Sequence, residues 1–210
     1  MEQLLRLRRF LEPRSEQRRD TEERCGLCSE PIPEEHRHVV EIEKRNLMCV
    51  CRACYLLFAH PGAALGKYRA VPGRYVRLPG MALTDAQWDR LQIPVGMAFL
   101  FHNSALNRTL AFYPSPAGAA ESALPLEIWD EIVQENALLR TLAPDVEAVL
   151  VRRAGGCSEC YIVPIDACYE LVGLMRRHWR GFDGGEDARQ AISAFFDRLR
   201  ERSEDPDTAV

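Results

Sequence analysis

The spacing of apolar residues changes period several times along the chain, and each change predicts an element. In residues 1–12, Leu4, Leu7, Phe10 and Leu11 recur on one helical face with Arg6 and Arg9 opposite, and Pro13 ends the pattern. Residues 14–24 contain no apolar residue, so 1–24 reads as an N-terminal helix and a solvated linker. Alternation begins at "HVVEIE" (38–43) and resumes at "LMCVC" (47–51), two short strands about a turn at "KRN". "CRACYLLFAH" (51–60) then reads as a helix closed by Pro61-Gly62. Pro-Gly recurs at 72–73 and 79–80, which predicts a turn-rich connector over 61–83 with little regular structure.

From residue 84 to 203 the pattern is that of an α+β domain. "TDAQWDRLQ" (84–92) is a short helix with Thr84 as its cap. Residues 97–103 and 108–113 are apolar runs about "SALN", a hairpin, and "PLEIWDEIVQENALLRTL" predicts one helix ended by Pro144. A second hairpin, 146–153 with 159–165, leads to Asp166 as N-cap of "ACYELVGLMRRHWR". "GFDGG" stops that helix, and residues 186–202 form an amphipathic last helix with Ile192, Phe195, Phe196 and Leu199 inward. "AFLF" (98–101) and "AVLV" (148–151) match at an offset of fifty residues, as do Pro114 with Pro164 and Trp129 with Trp179, which suggests two ββα repeats. The fold expected is an antiparallel sheet packed by helices, preceded by a small separate module and followed by a disordered tail, 204–210.

Composition narrows the function classes. The chain is 47% hydrophobic and 28% charged, ordinary for a globular protein. Its 27 basic and 31 acidic residues leave a net charge of −4, which argues against general nucleic-acid affinity. Arginines interrupt the apolar residues of the N-terminus before a signal sequence could form, and no apolar run approaches the ~20 residues of a membrane helix. A cytoplasmic location is therefore expected. There thiols stay reduced, so eight cysteines point to metal ligation or redox chemistry before disulfides.

Four of these cysteines form two C-x-x-C pairs, Cys25–Cys28 and Cys51–Cys54, with 22 residues between the pairs. Each pair sets two thiolates on one tight turn, and two such turns complete a tetrahedron, so one Zn2+ on Cys25, Cys28, Cys51 and Cys54 is expected. The order knuckle, hairpin, ligand-bearing helix over residues 25–60 resembles a treble-clef zinc finger. Cys49 lies one alternation before Cys51 and reads as a small hydrophobe beside the site; His36 and His38, near a turn, are left out because four thiolates suffice. An iron–sulfur cluster or a dithiol redox pair would use the same residue types, but the spacing favours zinc and no thioredoxin-like βαβ context is present. Cys157–Cys160 is a third C-x-x-C, across a hairpin turn, and Cys168 reads as a core residue. The sequence contains no G-x-S-x-G, no phosphate-binding glycine loop and no H-E-x-x-H, so no enzyme activity is expected.

Taken together, "LRRFLEP", the cysteine module, "YRAVPGRY", "WDRLQIPVGMAFLF", "AFYPSPAG", "PIDACYELVG" and "WRGFDGG" resemble an uncharacterised bacterial domain-of-unknown-function family, over nearly the whole chain. Members of that family are encoded beside high-affinity [NiFe] uptake hydrogenases. The resemblance implies an accessory role in assembling or operating such an enzyme, with a hydrogenase subunit or maturation factor as protein partner. The rival expectations are a treble-clef nucleic-acid-binding regulator and a ligand-binding or thiol-redox protein. Against the first, residues 25–60 hold Arg37, Lys44, Arg45 and Arg52 against Glu30, Glu34, Glu35, Glu41 and Glu43.

Overall fold

A computed structural model describes residues 22–60, 62–79, 81, 83–91, 93–122, 127–154, 157–181 and 184–205. The expected helix at 1–12 and most of the linker and tail lie outside these residues. The first hairpin is β1 (Arg37–Glu41) and β2 (Asn46–Val50), about a turn at 42–45. Arg37 and Asn46 are exposed, Val39 and Val50 turn one face to the cysteine turn, and Val40 turns the other to the larger domain, so both faces of the hairpin are covered. Helix α1 (Arg52–Leu57) follows at once, with Cys51 as its N-cap.

The Pro-Gly connector is more ordered than its composition predicts. It holds a 3-10 turn (Ala63–Gly66), then β3 (Tyr68–Ala70), which pairs antiparallel with β1, then β4 (Val76–Arg77), which pairs with a strand of the larger sheet. No turn forms at Pro72-Gly73, and Pro61 and Gly80 of the other two steps lie outside the described residues. The two short strands were not legible, because three and two residues carry no measurable alternation.

The larger sheet has the order β4-β9-β8-β5-β6-β7, all antiparallel. Its strands are β5 (Met97–Asn103), β6 (Arg108–Ser115), β7 (Gly118–Glu121), β8 (Glu147–Ala154) and β9 (Cys157–Pro164). The two hairpins expected from the sequence are β5-β6 and β8-β9. They join through their first strands, Phe99 opposite Leu150 and Leu100 opposite Val149, so the fifty-residue offset becomes an approximate twofold relation about the β5–β8 seam. The helices do not keep that offset: Trp129 is buried within a helix, whereas Trp179 is the residue that ends one.

Helices cover both faces of this sheet, which explains its nearly continuous apolar strands. Phe99, Phe101, Leu150, Tyr161 and Val163 point to one face, under α4 (Ile165–His178) and α5 (Gly185–Arg202). Ala98, Leu100, Val149, Val151 and Ile162 point to the other, under α2 (Asp85–Leu91), α3 (Glu127–Glu135) and a 3-10 turn (Ala137–Thr141). The helix expected at 125–142 is thus broken. Asn136 leaves helical geometry and its side chain accepts from the Leu138 N–H, starting the tighter turn. Thr84 and Gln87 form the capping box of α2: Gln87 N–H donates to Thr84 Oγ1 at 3.2 Å and Thr84 N–H to Gln87 Oε1 at 2.9 Å. Among the described residues no helix is long and apolar enough to cross a membrane.

The small sheet docks on the face that α4 and α5 cover. Val40 and Val71 share one core with Phe101, Ile165 and Cys168. Two arginines of the connector reach buried acids and carbonyls of the larger domain. Arg74 donates to the two carboxylate oxygens of Glu147 from Nε and Nη2, each at 2.9 Å, and Arg69 donates to Pro144 O at 2.7 Å beside Asp145. Asp166, expected as the N-cap of α4, is not one. Pro164 occupies that position without a side-chain cap bond, and Asp166 sits in the first turn with its carboxylate on His38 of β1 at 2.9 Å. Tertiary contact has claimed a side chain that local rules assign to the helix end.

Candidate metal centre

The first cysteine pair lies on a closed turn. Cys25 N–H donates to Glu30 O at 2.8 Å, and Ser29 N–H returns to Cys25 O at 2.9 Å. Gly26 N–H reaches Cys49 O at 2.8 Å, which fastens this turn to β2. The second pair opens α1, where Cys51 Sγ accepts from Cys54 N–H at 3.5 Å. Sulfur in this capping position is held by the helix start itself.

The fold brings Cys25, Cys28, Cys51 and Cys54 together, with all four Sγ atoms within 4.8 Å of one another. Cys28 and Cys51 approach to 3.7 Å. A tetrahedral ion with metal–sulfur bonds of ~2.3 Å has sulfur–sulfur edges of about 3.8 Å, whereas a disulfide would need ~2.05 Å. The donor set and this spacing therefore fit a metal ion, and the group could hold one. Its electrostatics point the same way. Burial alone would raise the Cys25 thiol, but backbone amides of Cys51, Cys28 and Leu27 outweigh it and bring it down to about 6. Burial, then the sulfurs of Cys28, Cys51 and Cys25, push Cys54 well above the usual thiol range. One thiolate held by amides thus opposes ionisation of its neighbour, and a cation relieves that repulsion while releasing protons.

Cys49 is not part of this group. It is half-buried, stands opposite His38 in the β1–β2 register, and lies with His36 and His38 in a second cluster whose ligand atoms are also within 4.8 Å of one another. Burial and the Glu23 carboxylate push its thiol up to about 11. The sequence alone did not give this cluster: positions 36 and 38 share a face, but a turn at "KRN" (44–46) would set 38 across from 52, and the observed turn at 42–45 sets it across from 49 instead. Of the third C-x-x-C, Cys160 is buried and pushed up to about 12 by that burial, which makes it a poor nucleophile. Cys157 pairs with Ala154 at the strand ends; its side chain lies outside the described residues. Cys168, on α4, is buried in the core, as expected.

The sequence model of a family of unknown function, DUF5947, matches residues 24–203, from the first knuckle to the end of α5. The chain belongs to DUF5947. Both cysteine pairs, the connector and both helical layers lie within the matched span. Searches among curated proteins and among solved structures found no match.

Proposed function

We propose that the chain is a zinc-binding accessory protein that acts through protein–protein contacts, with a subunit or maturation factor of a [NiFe]-hydrogenase as its partner. The observation that carries the zinc reading is the four-thiol group, all sulfur, with one 3.7 Å edge. Four protein ligands close a tetrahedron and leave the ion a structural role. That ion would tie the knuckle, the hairpin and α1 into one unit, whose own apolar core is small: Ile32, Val39 and Val50 beside Cys25 and Cys54. Support for a protein-contact role comes from α1, where adjacent Leu56 and Leu57 are 59% and 66% exposed. The choice of partner follows from the gene setting that the resemblance implies.

Metal analysis of purified Cys28→Ser should show one equivalent of zinc less than the parent chain. Unchanged metal content, or iron in place of zinc, refutes the zinc reading. A tagged chain recovered from native cells should carry a hydrogenase subunit or maturation factor, and Leu56→Glu/Leu57→Glu should release it. If gene deletion instead lowers hydrogenase transcripts and the purified chain retards promoter DNA, a regulator is the right description.

A further inference from the structure

We propose that His36, His38 and Cys49 form a second metal site, for a late first-row divalent cation, distinct from the four-thiol group and with an open coordination position on the cleft between the small module and the larger domain. One ring nitrogen from each histidine and the Cys49 Sγ lie within 4.8 Å of one another. The two rings meet edge to face with centroids 4.8 Å apart. The strand register sets His38 across from Cys49, so the cluster is built on paired backbone.

The tautomers decide which atoms can ligate. His36 Nδ1 is 3.0 Å from Pro33 O. A carbonyl oxygen only accepts, so that nitrogen carries the proton and, in the neutral ring, Nε2 carries the lone pair. His38 Nδ1 is 2.9 Å from Asp166 Oδ2, and the same reasoning leaves its Nε2 as the free donor. Metal-ligating histidines show this arrangement, with one nitrogen on the ion and the other donating to a carbonyl or carboxylate that orients the ring.

A second observation points to a missing ligand. The His36 side chain is only 9% exposed, and its Nε2 is buried without a hydrogen-bond partner. A buried lone pair without a donor is costly, and a cation satisfies it as well as a proton would. The charge balance also suits a cation. Cys49 would bind as the thiolate, and the Asp166 carboxylate and Glu23, 3.9 Å from His36 Nδ1, lie close by. Two imidazoles and one thiolate suit zinc, cobalt, nickel or copper better than magnesium or calcium, which prefer oxygen.

Three protein ligands leave a fourth position. His36, His38 and Asp166 line a cleft of about 1070 Å³ whose other walls include Arg37, Arg52 and Arg202. An ion held here could take a further ligand from that cleft, unlike one closed in by four cysteines. Because Asp166 belongs to α4 and His38 to β1, occupancy also couples to the docking of the two units.

The test adds Co2+ to the purified, reduced full chain and counts bound equivalents alongside the thiolate-to-cobalt absorption. The parent should bind one equivalent more than Cys49→Ala and one more than His36→Asn, with the far-ultraviolet dichroism of each variant unchanged. Asp166→Asn should keep the stoichiometry and weaken the affinity by about 10–100-fold, as loss of an orienting carboxylate does. Equal stoichiometry in the parent and in Cys49→Ala overturns the proposal, whatever the state of the four-thiol group. Failure of the zinc reading looks different: Cys28→Ser would then match the parent while Cys49→Ala still binds one equivalent less.

Discussion

The ion pair between Arg74 and Glu147 anchors the connector to the larger domain, and removing the arginine should be costly. Glu147 is 3% exposed and receives two charge-assisted bonds at 2.9 Å from Arg74, with a third, at 2.8 Å, from the Ala143 N–H. Arg74→Met keeps much of the apolar stem and deletes the guanidinium. The carboxylate is then left buried with one amide. Breaking a fully buried pair from one side costs about 3–5 kcal/mol. Arg74 is itself 37% exposed, and the Ala143 amide remains, so the low end applies, about 3 kcal/mol. For a chain of this size each kcal/mol moves the midpoint by about 2–4 °C, which gives a fall of about 6–12 °C by scanning calorimetry. Adding Glu147→Gln removes the stranded charge while its amide oxygen can still accept from Ala143. The double variant should therefore recover more than half of the loss. A single variant within 2 °C of the parent, or a double variant no better than the single, would refute the view that an uncompensated buried charge sets the cost.

Three further outcomes are expected. Lys44 at 3.0 Å and Lys67 at 3.5 Å hold the Glu41 carboxyl below its usual range, so it stabilises the fold above the unfolded carboxylate value and that contribution fades as pH falls through the lower folded value; Glu41→Gln should lose less melting temperature than the parent between pH 6 and 3, and parallel curves would contradict this. Gly184 has φ of 86°, and a Cβ there would meet the Trp179 ring at 2.9 Å, so Gly184→Ala should destabilise by about 1–3 kcal/mol in urea unfolding; a neutral result would show that the Trp179 ring and the turn yield freely. Cys160 and Cys168 should resist alkylation at pH 8 in the native chain and react once it is unfolded, because burial pushes both thiols up, Cys160 to about 12; native labelling of Cys160, read by peptide mass, would reopen a redox role.

Local chemistry made much of this protein legible. The two hairpins of the large sheet lie where apolar runs flank turn residues, the α2 cap is the Thr84–Gln87 box, and the last helix buries Phe195, Phe196 and Leu199 as its period requires. These features depend on neighbours within a few residues. Features set by distant partners were misread. The Pro-Gly connector supplies two sheet strands because β1 and β9 offer unpaired edges, and Asp166 leaves the cap position because His38, 128 residues away in sequence, competes for its carboxylate.

What the sequence determined by itself is the four-thiol group and the α+β class. A C-x-x-C turn places two sulfurs whatever surrounds it, and hydrophobic period is a property of the local backbone. The tertiary structure alone decided that the two hairpins join through β5 and β8 and that helices bury both sheet faces. It alone decided that His36, His38 and Cys49 come together and that His38 meets Asp166. The reason is physical. Which strand edge or buried side chain meets which is settled by the total apolar area and polar satisfaction of the packed chain, and no window of sequence contains that sum.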